Sequence, residues 1–394
     1  MRDLPSRRLA DLVEVRHRFA FDGKYFRDER ATNVLLTPGN VAVGGGFQPG
    51  TPKYYDGPVP EDFVLAEGDL FVTMTDLSKN GDTLGYPAWV PRAPAGRRYL
   101  HNQRLGRILL RPEAPLDPRY LYYVLCSREY RQEVLATATG STVRHTSPSR
   151  IGAYELALPR LEVQQRIAGI LGALDDKIGL NRRMAETIEG LVRAAYAELQ
   201  ANGRDDWTVG SIADVALNPR DQVDPTLVDP STPYIGLEHV PRGRMVLGEW
   251  GQAAAAESGK MAFQRNDILF GKLRPYFRKV GVVPTSGICS TDIIVIRARR
   301  PEDLGYVLAV ATDAAFIEAA NAASTGTRMP RTSWSDLVRY PLLIPPTSAR
   351  AAFTKRVWPL IERAQAAAFE NSTLEQVRDT LLPRLLSGDI EVAA

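Results

Sequence analysis

Between residues 160 and 200 the apolar and small side chains recur in alternating steps of four and three: Ile167, Leu171, Leu174, Ile178, then Ala185, Ile188, Val192, Ala195 and Leu199, with Asn181 as one polar interruption. A seam of that period predicts a coiled-coil helix rather than the broader stripe of a globular one. At about 1.5 Å per residue, Glu162 to Leu199 makes a rod on the order of 55 Å long, enough to hold two globules apart. Asn181 fits either a residue that sets helix register at some cost in stability or a polar side chain that is merely tolerated. The seam returns, degenerate, at Phe353, Val357, Leu360, Ala364, Ala367, Asn371, Leu374, Arg378, Leu381 and Leu385, where eight of the ten are apolar. A proline inside a helix removes a backbone donor, so Pro359 predicts a bend or a late helix start. Pro383 is expected to disturb the last turns before Ser387 and Gly388 end the element.

Outside these helices the pattern is that of mixed α/β globules. Short apolar-alternating segments open each half at residues 8–13 and 211–215, and strands are predicted at 69–72, 108–110, 267–270 and 293–296. A helical pattern over 121–137, and again over 304–323, leads into a Thr-Gly loop. Thr139-Gly140-Ser141-Thr142-Val143-Arg144-His145-Thr146-Ser147 aligns without a gap on Thr325-Gly326-Thr327-Arg328-Met329-Pro330-Arg331-Thr332-Ser333, 186 residues later. Tyr154, Leu156 and Leu158-Pro159 likewise match Tyr340, Leu342 and Ile344-Pro345. Self-similarity of this kind means a duplicated unit. The expected fold class is therefore α/β: globule, long helix, globule, long helix, with the two helices pairing antiparallel as a coiled coil and the whole forming a pseudo-twofold internal repeat. The offset shrinks from 203 at Leu9/Ile212 to 198 at Asp69/Asp267 and 186 at the loops, so the first globule holds about 17 extra residues. A common frame with divergent middles suggests two heads that read different targets.

Composition narrows the class. With 394 residues and 44% hydrophobic content, two to three domains can each bury a core. No run of 18 apolar residues occurs, and Met1-Arg2-Asp3-Leu4-Pro5 lacks the apolar core of a signal peptide, so a cytoplasmic protein with no membrane partner is expected. Cys126 and Cys289 do not match under the repeat and are expected to be reduced, buried and structural. A net charge of +3 permits a polyanionic partner without demanding one. Residues 160–200 balance six Lys/Arg against six Asp/Glu. Residues 265–279 instead hold Arg265, Lys272, Arg274, Arg278 and Lys279 against Asp267, with Tyr276 and Phe277 interleaved. That mixture suits a phosphate-lined groove, or equally a solvated hairpin.

The helix sequences themselves carry a resemblance. Leu158-Pro159-Arg160-Leu161-Glu162-Val163-Gln164-Gln165-Arg166-Ile167, then Leu174-Asp175-Asp176-Lys177-Ile178 and Asn181-Arg182-Arg183, closely resemble the conserved helical region of type I restriction–modification specificity subunits. Leu381-Leu382-Pro383-Arg384-Leu385-Leu386-Ser387-Gly388 looks like the close of that family's second helical region. The resemblance covers the whole chain in order and departs at Glu162 and Gln165, whose repeat partners are Ser348 and Ala351. It implies target-recognition domains at 1–158 and 201–344, and conserved helical regions at 159–200 and 345–394. Each domain would read one half of a bipartite, asymmetric site on double-stranded DNA. The helices would set the spacer and dock two methyltransferase subunits through Leu161, Gln165, Ile167, Leu174, Asp176, Lys177, Asn181, Arg182, Leu381 and Leu385. S-adenosylmethionine would sit on those subunits, which methylate adenine. A restriction/translocase subunit using ATP and Mg would add cleavage where one is present. The chain itself would bind no cofactor and carry no catalysis.

Missing motifs agree with a reader. An adenine methyltransferase needs an Asn/Asp-Pro-Pro-Tyr/Phe string, and the nearest, Asn218-Pro219-Arg220 and Pro345-Pro346-Thr347, do not fit. Gly44-Gly45-Gly46 lacks the Gly-Lys-Ser/Thr of a phosphate loop. His17, His101, His145 and His239 have no partners at metal-ligand spacing. For phosphate contact the candidates are Ser141, Thr142, Arg144, Thr327, Arg328 and Arg331 in the repeated loops, unless Gly140 and Gly326 serve only to launch a strand. For base edges they are His101, Asn102, Gln103 and Arg104 in the first head, because Asn and Gln pair with adenine and Arg with guanine. In the second head they are Lys272, Arg274, Tyr276 and Arg278. The reading from a different class is a coiled-coil scaffold whose two heads bind protein.

Overall fold

The computed structural model describes residues 6–17, 19–78, 80–202, 206–256, 258–325 and 329–392. The chain is mixed α/β and divides into two compact units, Met1–Leu174 with Val377–Ala394, and Asp175–Gln376.

In the first unit, Ser6–Arg8 pairs antiparallel with Glu155–Ala157, so the polypeptide enters and leaves on one two-stranded ribbon. Between them lies an antiparallel four-stranded sheet in the order Val13–Arg16, Leu105–Leu110, Leu70–Thr73, Pro87–Trp89. A smaller five-stranded sheet follows the order Phe26–Arg27, Lys53–Tyr55, Asn33–Leu35, Arg98–Leu100, Val64–Leu65. The helical stretch expected over 121–137 is two helices, Pro118–Cys126 and Arg128–Ala136. The break is chemical: Ser127 takes an extended conformation and its hydroxyl accepts the Tyr130 N–H, capping the second helix. Leu9, Leu70, Val72, Leu121, Tyr130, Val134 and Ile151 from these elements share one core with Ile167, Leu171 and Leu385 of the long helices.

The second unit repeats that order. Thr208–Gly210 pairs with Leu342–Ile344, and the four-stranded sheet runs Ala216–Leu217, Ile293–Ala298, Ile268–Gly271, Val280–Val282. Helices Leu304–Thr312 and Ala314–Ala322 break at Asp313, whose carboxylate caps Ala315 and Phe316. The apolar-alternating segments at 8–13 and 211–215 contain a short helix, Leu9–Leu12, and a 3-10 turn, Ile212–Asp214, which bury Leu9, Leu12 and Ile212.

The two long helices are Leu161–Asn202 and Thr347–Ser387. Every seam position is buried or half-buried. Burying each of Ile167, Leu171, Ile178, Ile188 and Val192 is worth about 1.5–3 kcal/mol, so packing rather than helix propensity holds these segments. Within the second unit the partners run antiparallel: Arg182 meets Glu375 at 2.8 Å while Arg356 meets Glu198 at 2.8 Å. Asn181, 2% exposed, donates to Glu370 at 2.8 Å and to Asn371 at 3.0 Å, and Lys177 joins Glu370 at 3.1 Å. The seam's two asparagines thus meet. Pro359 does not delay the helix, which begins at Thr347. Pro359 is exposed, so the carbonyl it leaves unpaired can turn to water. The helix also runs through Pro383 and stops at Ser387, where Gly388 has φ +78°.

Each helix start is anchored at the same repeat position by different chemistry. Buried Gln164 donates to Pro159 O at 2.8 Å and Pro115 O at 2.9 Å while accepting Asp117 N–H at 2.8 Å. Its counterpart Arg350 reaches the Pro345 carbonyl and pairs with Asp303 at 2.6 Å.

Candidate nucleic-acid interface

One end of each four-stranded sheet gathers three connections. In the first unit these are the 101–104 turn into Leu105–Leu110, the 74–86 loop, and the Thr-Gly loop. Met74 ties them together: its N–H donates to Arg104 O at 2.8 Å and its carbonyl accepts Thr146 N–H at 3.0 Å. In the second unit Lys272 makes the same two bonds, donating to Asp292 O at 2.8 Å and accepting Thr332 N–H at 3.0 Å. Lys272 therefore stands where Met74 stands, and Asp292 where Arg104 stands.

Both Thr-Gly loops are closed by backbone pairs, Thr139 with His145 at 2.8 and 2.9 Å and Thr325 with Arg331 at 2.9 and 3.2 Å. Gly140 has φ +92°, and a Cβ there would overlap the Val143 carbonyl oxygen, so only glycine fits the turn. That turn leaves Ser141 and Thr142 exposed. Arg144 is half-buried in the ribbon Arg144–His145 with Thr75–Asp76, beside the 76–83 loop. In that loop burial opposes the Asp76 charge, but the Thr83 hydroxyl and the Ser78 N–H hold its carboxyl below the usual range. Gly326, Thr327 and Arg328 lie outside the described residues.

At the 101–104 turn, Gln103 and Arg104 are exposed and half-buried Asn102 accepts the Arg104 N–H at 2.9 Å. His101 does not belong with them. It is 1% exposed, stacks on Phe63 at 5.7 Å and holds Nε2 2.9 Å from Leu105 O. Burial pushes its imidazole pKa down, so it is a neutral prop for the turn with no edge turned outward.

In the second unit the basic loop and the Thr-Gly loop converge. Arg274 N–H donates to Pro330 O at 2.8 Å, and Leu273 bridges Arg331. Arg274 and Arg278 take left-handed conformations, φ +50° and +53°, on either side of the 3-10 turn Pro275–Phe277. The turn exposes Tyr276 edge-on to Phe277, while Arg242 stacks on the Phe277 ring at 3.7 Å. Burial and the neighbouring Arg331 lower the Lys272 ammonium pKa, and Arg331 is ion-paired with Asp292. The structure thus unites Lys272, Arg274 and Arg331, with Tyr276 and Arg278 on the same loop.

Sequence reasoning missed Ser290, Thr291 and Asp292, which repeat the first unit's 102–104 turn: Ile293 N–H to Ser290 O and Leu105 N–H to Asn102 O are both 3.0 Å. Their offset is 188, between the 198 and 186 measured on either side, and that drift was the available signal. Among the helix candidates, Leu161, Gln165, Asp176 and Arg182 are exposed, and Leu174, Lys177 and Leu381 are half-buried. Ile167, Asn181 and Leu385 are buried between elements of this chain, so they hold the helices rather than meet a partner.

Burial pushes the Cys289 thiol up to about 12, which makes it unreactive. Cys126, expected to be buried, is half-buried. Among the described residues no group of three His, Cys, Asp or Glu side chains could hold a metal ion, and no helix is long and apolar enough to cross a membrane.

A family model described as the type I restriction modification DNA specificity domain matches residues 1–190. The chain is 22% identical to the type I restriction enzyme MjaIX specificity subunit of Methanocaldococcus jannaschii, over 89% of this chain and 91% of that one. It is 21% identical to the type I restriction enzyme HindI specificity subunit of Haemophilus influenzae, over 69% and 77%. In fold it is similar to the crystal structure of a type I restriction–modification S subunit from M. genitalium, with TM-score 0.54 at 14% identity, covering 99% of this chain and 97% of that one.

Proposed function

We propose that this chain, which belongs to the type I restriction–modification specificity-subunit family, is the non-catalytic DNA-recognition subunit of such a complex. The observation that carries the reading is the sheet end built twice on one hydrogen-bond frame, around Met74 and around Lys272, with different side chains displayed on each copy. Conserved backbone with varied surface is what two readers of unlike half-sites require.

Residues 1–158 and 201–344 act as target-recognition domains, each reading half of a bipartite asymmetric duplex site. Ser141, Thr142 and Arg144 take phosphates, with Thr327 and Arg328 joining them by the repeat, while Lys272, Arg274, Tyr276 and Arg278 face base edges in the second half-site. Asn102, Gln103 and Arg104 face base edges in the first half-site. Residues 159–200 and 345–394 form an antiparallel coiled coil with pseudo-twofold symmetry that sets the spacer. Two methyltransferase subunits, bringing S-adenosylmethionine, dock on its exposed positions Leu161, Gln165, Asp176 and Arg182. A restriction/translocase subunit with ATP and Mg adds cleavage where the system includes one. The complex works on DNA in the cytoplasm.

The test is long-read mapping of N6-methyladenine in host DNA, with and without the gene. Loss of methylation at one bipartite motif supports the reading. An unchanged methylome where the methyltransferase subunits are active overturns it in favour of a protein-binding scaffold.

A further inference from the structure

We propose that Arg331 reads a guanine in the half-site of the second unit and that Asp292 is its positioning residue; this rests on the DNA-recognition function proposed above. Arg331 is fixed at its base, because its N–H and carbonyl both bond Thr325 across the loop. It is also fixed at its head, because Asp292 Oδ1 holds Nη2. Yet half of its side chain stays open to solvent, 51% against 32% for Asp292. A guanidinium has five N–H donors, and one engaged at the carboxylate leaves the rest of the fork for an outside acceptor. Guanine O6 and N7 match that fork in the major groove.

The carboxylate is otherwise out of place. It sits beside Lys272 and Arg331, on a surface where negative charge opposes phosphate binding. Its turn is held from two sides, since the Lys272 N–H bonds the Asp292 carbonyl and the Lys272 ammonium bonds the Thr291 carbonyl. A clamped arginine loses little rotamer freedom when DNA arrives, and that preorganisation is what Asp292 supplies. The first unit lacks the device. Its counterpart of Arg331 is His145, whose Nδ1 lies 3.1 Å from the Thr75 hydroxyl, and its counterpart of Asp292 is Arg104. The pair therefore distinguishes the two heads.

The experiment selects binding sites from a pool of randomised duplex DNA, using the full chain co-purified with its methyltransferase subunits. Wild type is compared with Arg331→Ala, Arg331→Lys and Asp292→Asn. Arg331→Ala and Arg331→Lys are expected to lose roughly tenfold or more in preference for guanine at one position of one half-site, Lys because a point charge cannot form the fork. Asp292→Asn is expected to relax the same position by less while raising affinity for non-specific DNA, since it removes a negative charge. The other half-site stays unchanged in all three and reports that the chain is folded. Unaltered base preference in both Arg331→Lys and Asp292→Asn overturns the proposal and leaves a purely structural ion pair. A wild-type complex that selects no sequence at all sinks the DNA-recognition function itself.

Discussion

Replacing both asparagines of the helix seam should leave the second unit as stable as before or more so, although removing either alone weakens it. In Asn181→Ala the Asn371 amide and Glu370 lose the donor now held at 3.0 and 2.8 Å, and a fully buried volume is emptied. A group left without its partner costs about 1–3 kcal/mol when water cannot replace it. Asn371 and Glu370 are half-buried and Lys177 keeps its pairing at 3.1 Å, so the low end applies, about 1–2 kcal/mol with the cavity included. In the double variant Asn181→Leu/Asn371→Leu no amide is stranded. The leucine introduced at position 181 would bury completely, worth about 1.5–3 kcal/mol, while the one at half-buried position 371 adds less. The net expectation is a gain of about 1–2 kcal/mol, with helix register now less strictly specified. Because the chain has two units, hydrogen exchange of the 175–202 amides is the right assay, reporting local opening rather than a global midpoint. Slower exchange in the double variant and faster exchange in Asn181→Ala is the expected pair. If the double variant exchanges faster than wild type by more than about tenfold, equivalent to about 1.4 kcal/mol, the reasoning fails and the amides stabilise the seam outright.

Other perturbations test other parts. Gly140→Ala forces a left-handed φ and an overlap at Val143, strain of about 1–3 kcal/mol, and should weaken binding to the first half-site on the order of tenfold without touching the second, as read by titration of duplexes altered in one half. Arg274→Gln should lower the slope of log affinity against log salt by about one if that side chain meets a phosphate, and an unchanged slope places it off the phosphate backbone. Burial raises the Glu189 carboxyl above its ordinary 4.5, against the pull of the Met245 N–H at 2.9 Å and Arg244 at 3.3 Å. The native state then binds the proton more tightly than the unfolded one, so stability is greater in mild acid and falls as pH rises from 4.5 through the raised value. Urea unfolding across that window should show the decline in wild type and its loss in Glu189→Gln; identical curves would show that the carboxyl does not titrate there.

What the sequence made legible was whatever repeated or alternated strongly. The seam positions and the Thr-Gly loops could be placed because packing period and turn chemistry are written locally. The break at Ser127 was hidden, since one amphipathic pattern spans both helices and only the serine's capping hydroxyl divides them. Pro359 misled because its effect depends on which side of the helix it faces. His101 misled for a related reason: residue type suggested a reader, whereas the Phe63 stack that buries it comes from a distant segment. Asp292 was marked only by the drifting repeat offset, and the backbone bond to Lys272 is what makes it the counterpart of Arg104.

The ribbon formed by Ser6–Arg8 and Glu155–Ala157, and its copy formed by Thr208–Gly210 and Leu342–Ile344, has a consequence for inheritance. Each places the first and last residues of a head side by side, with all of Ser6–Arg8 and both Glu155 and Ala157 facing water. Two crossovers in a gene, one at each strand of a ribbon, would excise a whole head and accept another without cutting a long helix, provided the newcomer repacks the core it shares with that helix, as Leu9, Val72 and Ile151 do against Ile167 and Leu171. Recombination could then exchange vocabularies half a sentence at a time, while the grammar of spacing and assembly passes on unchanged.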